Sequence, residues 1–387
     1  MELTLDTRCI HGDTDRSPDG FRPISTPIYQ TASFAHLEPG HNGSGFDYTR
    51  ESNPTRSELE KRISSLEGAY DTVAFSSGMA AISACFELFR PGDRILCSDD
   101  LYGGTVRLNR RVLEKNGVFA DYADTRDSSA IEADWKPGTR AVYVETPSNP
   151  MMHVTDLRQA ARIAHSRGAL LIVDNTFLSP YYQNPLSLGA DIVIHSGTKF
   201  IAGHNDTACG FLCSSTKELA EEFRLTAKTT GACLSPFDSW LALRGLKTLS
   251  VRMERQQTTA TALARWLKTR PSVKEVYYVG LPEHPGYEIN RSQSRGAGSV
   301  ISFSVDSAET AKRILLRVRL ITFAESLGGV ESLLTYPFVQ THPDVPDETK
   351  ERLGINDRLL RLSVGLESPE DLIADLEQAM EGRDDIL

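Results

Sequence analysis

The sequence predicts an α/β protein: a mostly parallel, doubly wound sheet followed by a smaller α+β domain. From residue 68 to about 215, short apolar runs alternate with helical patterns, the signature of parallel strands joined by crossover helices. Those helical patterns close on glycine, as helix C-termini favour. The chain has 387 residues, longer than the roughly 250 to 300 at which single cores stop growing, so a second domain is expected.

The first sixty residues are rich in Pro and Gly, with PISTPIYQTASF and GHNGSGFDYTRESNPTR and few helical signals. An irregular segment of that length is usually functional or packs on a neighbouring chain, so residues 1–60 read as an arm contacting a second subunit. The candidate strands that follow are DTVAFSS, DRILCSD, RAVYVETP, ALLIVDN, ADIVIHS and CGFLCS, with TVRLNRRVLEKNG and DLRQAARIAHSRG as helices between them. They place the sheet domain at 61–247. PFDSWLALRGLKTLSVRMERQQTTATALARWL reads as one long helix leading out of it. VKEVYYVG, GSVISFSV and LLRLSVG then alternate with helices, giving an α+β domain at 248–387.

A formal charge of −10 argues against electrostatic binding to nucleic acid or anionic membranes and leaves a small-molecule substrate as the expectation. The start, MELTLDTRCIHGDTD, has no apolar signal region, and no window approaches the ~18 apolar residues of a membrane span, so a cytoplasmic location is expected. Six cysteines without a CxxC pair read as reduced thiols. Cys209 and Cys213 stand four apart in strand-like sequence with no second pair, and no metal is expected.

In a doubly wound sheet, ligands bind beyond the carboxyl ends of the strands. The residues collected there are chemically dense. SSGMAA, residues 76–81, closes a strand and opens a helix, which makes a phosphate site of its free N–H groups or, equally, a tight helix-to-sheet contact. Asp174 closes the apolar run in LIVDNTF, either as a backbone cap or as a buried partner for a ring-nitrogen cation. Lys199 follows ADIVIHSGT, where an ammonium is costly to bury unless it is paired or sheds its proton. A phosphate cradle, an aspartate and a strand-end lysine twenty-five residues later are the parts of a pyridoxal-phosphate site. Ser196 and Thr198 add hydroxyls, Tyr48 and Arg50 a phenol and a guanidinium, and Tyr102 a ring able to stack on the cofactor.

SSGMAA, DLYGGT, YVETPSNP, IVDNTF, HSGTKFIAGH, AESLGGVESL and LLRLSVGLE, in this order, resemble the Cys/Met-metabolism family of pyridoxal-phosphate (PLP) enzymes. The likeness runs from YTRESNPTR to RLSVGLE, nearly the whole chain. It implies fold type I, like aspartate aminotransferase, and a homotetramer of two intimate dimers with active sites shared between subunits. It implies Lys199 as the Schiff-base lysine and proton shuttle, Asp174 as the pyridine-nitrogen partner and Tyr102 as the stacked ring. Ser77, Gly78, Met79, Ser196 and Thr198 would hold the phosphate from one subunit, and Tyr48 and Arg50 from its neighbour. Arg361 would bind the substrate α-carboxylate with Ser326 and Asn149.

The resemblance also bears on the reaction. Glu325 matches a glutamate of the members that act at the γ-carbon, and Arg107 an arginine assigned to the distal carboxylate of cystathionine. Gly104 stands where methionine γ-lyases carry cysteine. Together they imply cystathionine chemistry at the γ-carbon. Asn205 in GHND leans the expectation to the γ-synthase, which joins an activated homoserine ester to cysteine. Glu51 speaks against it, because a carboxylate there would repel the distal carboxylate unless it points elsewhere. The γ-lyase is the alternative, and the cystathionine β-lyase and methionine γ-lyase stand further off.

Overall fold

The computed structural model describes residues 3–12, 23–39 and 41–381; the remainder of the expected arm, at 1–2, 13–22 and 40, and the end of the chain at 382–387 lie outside the described residues. Seven strands form the larger sheet: β1 Asp71–Phe75, β2 Arg94–Ser98, β3 Phe119–Ala123, β4 Thr139–Glu145, β5 Leu170–Asp174, β6 Ile192–Ser196 and β7 Gly210–Ser214. Their order is β1-β7-β6-β5-β4-β2-β3. All six strands expected from the sequence are present. The seventh, β3, carries FADYA, in which Asp121 interrupts the apolar run and Phe119 and Tyr122 are exposed.

The pairs β6–β5, β5–β4, β4–β2 and β2–β3 are parallel, whereas β7 runs antiparallel to both β6 and β1. Strands β1, β2, β4, β5 and β6 therefore end at one edge of the sheet, and β7 begins there. The turn between β6 and β7 contains Lys199. Gly210, the first residue of β7, lies so close to β1 that a Cβ would fall 2.2 Å from the Ser77 carbonyl oxygen.

Both faces of the sheet are covered. Val142, Val144, Leu171, Val173 and Val193 pack with Leu59, Ile63 and Leu66 of one helix and with Leu157, Ala160 and Ala164 of another. The alternate residues Ala141, Tyr143, Ile172, Ile192 and Ile194 pack with Ala81, Ile82 and Cys85 on the other side. Period-2 alternation between two apolar faces is what a doubly wound sheet requires. Helices α1 Leu5–His11, α2 Pro54–Glu67 and α3 Gly78–Phe86 come first in the chain. Asn53 caps α2 through the Thr55 N–H at 3.0 Å and Gly68 ends it in the left-handed region. The cap contributes about 1 kcal/mol, against roughly 1.5–3 for each of the three buried aliphatics; packing holds the helix and the cap fixes its start.

A five-stranded sheet follows, in the order β10-β11-β12-β9-β8, from β8 Val273–Tyr277, β9 Val300–Val305, β10 Thr322–Phe323, β11 Leu333–Thr335 and β12 Leu359–Ser363. Strands β10 and β11, two and three residues long, are too short to announce themselves in the sequence. No helix among the described residues is long and apolar enough to cross a membrane.

Two expected helices differ in detail. TVRLNRRVLEKNG begins as α-helix over Gly103–Leu108, widens to a π turn at Asn109–Leu113 and tightens to 3-10 at Glu114–Asn116. The single long helix is two, Pro236–Leu246 and Leu249–Leu267. The break sits at Lys247 and Thr248, just after Gly245, whose carbonyl accepts from the Thr248 N–H at 3.1 Å and hydroxyl at 3.0 Å and from the Arg252 guanidinium at 2.9 Å. Arg252, 2% exposed, also donates to the Phe200 carbonyl at 2.7 Å, one residue beyond Lys199. It faces carbonyls rather than a carboxylate, and burial lowers its pKa to about 10.

Arg252→Leu takes the guanidinium donor from the Phe200 and Ile201 carbonyls and one of three donors from Gly245, and is expected to cost roughly 2–5 kcal/mol. Urea unfolding measures it, and a loss within about 0.5 kcal/mol, the scale of a neutral surface change, would show that this guanidinium does not hold the turn.

Candidate functional site

A cavity of about 240 Å³ opens at the edge where the parallel strands end. The start of α3 supplies Ser77, Gly78 and Met79, the loops after β2 and β4 supply Tyr102 and Asn149, and β5 ends in Asp174. The turn after β6 supplies Ser196, Thr198 and Lys199. The second sheet closes the cavity with Glu325, Ser326 and Arg361. A further cavity of about 260 Å³, bounded by Lys268, Tyr277 and Glu283, contains none of these residues.

Ser77 caps α3, its hydroxyl accepting from the Ala80 N–H at 3.1 Å. The first N–H groups of a helix have no intrahelical acceptor, which leaves those of Gly78 and Met79 at the cavity wall. A Cβ on Gly78 would sit 2.8 Å from the Ser196 Cβ, so the glycine lets the start of α3 approach Ser196 closely. The Thr198 hydroxyl both donates to the Cys209 carbonyl at 3.2 Å and accepts from the Cys209 N–H at 3.0 Å. Its proton is thus engaged with the backbone.

Asp174 and Glu145 face each other across β5 and β4. Asp174 accepts from the Thr176 N–H at 3.0 Å and hydroxyl at 2.6 Å, which opposes the upward pull of burial on its carboxyl. Glu145 is pushed well above the usual carboxylate range by burial and by the neighbouring Asp174. Its two oxygens accept from the Tyr102 N–H at 3.0 and 3.1 Å, so the acid anchors the loop that carries this ring. A Cβ on Gly104 would meet the ring at 2.3 Å.

The Lys199 amine donates to the Ser326 hydroxyl at 2.9 Å. Burial and, after it, the Arg361 charge lower its pKa to about 8, with Glu325 opposing. Ser326 has a φ of 97°, a conformation uncommon for a residue with a side chain. Its carbonyl accepts from Arg361 at 3.1 Å, so one constrained residue touches both cations. Arg361, 2% exposed, also donates to the Asn149 side-chain oxygen at 2.7 Å and the Thr335 hydroxyl at 3.2 Å, while its Nε has no partner. Every partner is neutral, and burial lowers this guanidinium to about 10. An anion is the ligand such a group favours.

Three expected site residues do not line this cavity. Arg107 pairs with Asp344 at 2.8 Å on the surface. Arg50 lies 5.5 Å over the Tyr48 ring, both accessible, and donates to the Lys228 carbonyl. Glu145 and Thr176 received no role from the sequence. The threonine two positions after Asp174 was the available signal for its hydroxyl cap, but the register setting Glu145 beside Asp174 exists only once β4 and β5 pair.

The free amine at Lys199 is expected to be half-deprotonated near pH 8 in cofactor-free protein, against about 10.4 for an exposed lysine. A lowered pKa means less protonation at a given pH, so acylation at this site rises about two units earlier than at the surface. Site-resolved mass spectrometry of acylation against pH reads this directly, and a midpoint shared with surface lysines contradicts it.

Comparison with known proteins places these features in context. A family model described as "Cys/Met metabolism PLP-dependent enzyme" matches residues 6–381. The cystathionine gamma-lyase of Bacillus subtilis (strain 168) is 45% identical over 358 residues, 92% of this chain and 94% of the relative. The cystathionine beta-lyase of Lactococcus lactis subsp. cremoris (strain MG1363) is 44% identical over 384 residues, 98% of this chain and 99% of the relative. The crystal structure of cystathionine gamma synthase from Xanthomonas oryzae pv. oryzae, in complex with aminoacrylate and cysteine, superposes with a TM-score of 0.95 at 38% identity, covering 98% of each chain.

Proposed function

The chain belongs to the Cys/Met-metabolism family of PLP-dependent enzymes, and from that premise we propose that it makes or breaks a carbon–sulfur bond at the γ-carbon of a cystathionine-type amino acid. The cavity fits the cofactor by its donors. Two buried carboxyls in register are costly together, and a cationic ring nitrogen against Asp174 offsets that cost. The start of α3, whose Gly78 and Met79 N–H groups line the cavity beside Ser196, suits a phosphate. Lys199 is the amine that would hold the aldehyde, and Tyr102 the ring that would cover one face. When bound, PLP supplies the electron sink that allows a proton to leave Cα.

The chain's own residues do the rest. Arg361, aimed by Asn149 and the Ser326 carbonyl, takes the α-carboxylate and so fixes where Cα lies relative to Lys199. The lowered pKa lets Lys199 accept and return a proton near neutral pH, and the Ser326 hydroxyl keeps its amine directed into the cavity.

The observation that carries the γ-carbon reading is Glu325. Departure of a γ-substituent requires a second proton to be taken, from Cβ, which a β-elimination does not. The Glu325 carboxylate lines the same cavity as Lys199 and opposes the lowering of its amine, which suits a site where that amine must take a second proton. The synthase direction is the main reading. Glu51, whose charge would oppose a distal carboxylate, is engaged by the Lys228 ammonium at 2.8 Å. The γ-lyase direction is the second reading, favoured by the name of the B. subtilis relative. Tyr48, 43% exposed, and Arg50 do not line the cavity of their own chain, which supports their serving a neighbouring subunit, in the homotetramer that the resemblance implies.

Product analysis tests the proposal. Holoenzyme given O-acetyl-, O-succinyl- or O-phosphohomoserine with cysteine is expected to form cystathionine; given cystathionine alone, a γ-lyase releases cysteine and 2-oxobutanoate. Pyruvate and homocysteine from cystathionine would sink the γ-carbon reading. Glu325→Ala is expected to lower kcat at the γ-carbon by roughly ten- to a thousandfold, the range for a proton-transfer contribution and the loss of its electrostatic support.

A further inference from the structure

Asp100 lies in the loop after β2, is 1% exposed and does not line the cavity. One of its oxygens, Oδ2, accepts both the Ser148 hydroxyl and the Met151 N–H, the latter at 3.1 Å. The Ser148 hydroxyl oxygen in turn accepts from the His153 N–H at 2.8 Å, and the Ser148 N–H donates to the His153 carbonyl at 2.9 Å. A single buried carboxylate oxygen thus clamps the turn on both sides of Asn149. The same asparagine offers its side-chain oxygen to Arg361 at 2.7 Å and accepts at its backbone carbonyl from the His342 ring at 3.0 Å.

We propose that Asp100 is a positioning residue for the substrate α-carboxylate: by clamping the 148–151 turn it sets Asn149, and through Asn149 the direction in which Arg361 is aimed. The inference rests on the reading of Arg361 as the carboxylate site. It follows from the burial of Arg361 among neutral acceptors: the strongest side-chain contact on its Nη1 is the Asn149 oxygen, and a small displacement of that oxygen re-aims a planar donor that works only in the right plane. Loss of aim weakens binding of molecules that carry the carboxylate and spares those that do not.

The test uses PLP-loaded enzyme and two probes, glycine and methylamine, which share an amine and differ in the carboxylate; binding is followed by the cofactor absorbance. Asp100→Ala is expected to weaken glycine binding roughly ten- to a hundredfold, the range for loss of a charge-assisted hydrogen bond, with methylamine binding unchanged and the KM for substrate rising more than kcat falls. Asp100→Asn should restore glycine binding to within about threefold, because both donors converge on one oxygen that an amide carbonyl can replace. Should the alanine variant fail to fold, Ser148→Ala, which removes the hydroxyl's bonds to Asp100 and from the His153 N–H but keeps the Met151 N–H on Asp100, is expected to weaken glycine alone by roughly three- to tenfold. Equal losses for both probes, or unchanged glycine binding in Asp100→Ala or Ser148→Ala, overturn the proposal. Arg361→Leu separates the two levels. If it leaves glycine binding intact, the carboxylate assignment of Arg361 fails; if it weakens glycine and the Asp100 and Ser148 variants do not, the assignment stands and the clamp is rejected.

Discussion

A guanidinium buried among neutral acceptors governs how this structure is put together around its site. Arg361 sits on β12 with an amide oxygen, a hydroxyl and a carbonyl as its partners and a bare Nε. Among the described residues no carboxylate in hydrogen-bond contact cancels its charge, so the charge remains available to a ligand. Holding such a group requires that each neutral acceptor be fixed from behind: Asn149 by its turn, Ser326 by a constrained backbone, Thr335 by the pairing of β11 with β12. The two sheets meet where that requirement is satisfied.

Lys199 obeys the same rule in weaker form. Its amine has one hydroxyl partner, and the neighbouring guanidinium lowers its proton affinity further. The turn on which it rides is anchored by another buried cation, because Arg252 binds the carbonyls of Phe200 and Ile201. A strand end, a helix break and a basic side chain from outside the sheet combine to present one amine. The break between Pro236–Leu246 and Leu249–Leu267 follows from this, since Gly245 must meet Ala202 closely and share its carbonyl with Arg252.

Much of this was legible in the sequence. Strands with two apolar faces, such as β4, β5 and β6, show as continuous runs, and the polar residue ending each run marks the cavity edge. Lys199, Asp174, Ser77 and Arg361 are found that way because their residue types are anomalous beside apolar runs. What stayed hidden depends on pairing between distant segments. Glu145 acquires meaning only opposite Asp174, β3 is half exposed and lacks an apolar signature, and the break just after Gly245 answers to an arginine seven residues beyond that glycine. Arg107 shows the converse: a motif position that fits the resemblance carries a side chain engaged with Asp344, 237 residues away.

The glycine at position 104 bears on how readily this cavity could change its chemistry. A side chain there would collide with the Tyr102 ring, and that ring's loop is tied through its N–H to both oxygens of Glu145. A thiol at 104 is therefore not one substitution away in any useful sense, because the aromatic wall must be re-seated first. Change at position 104 is thus opposed by a steric ridge, and a path across it begins at Glu145, the acid that ties the loop, rather than at the glycine itself.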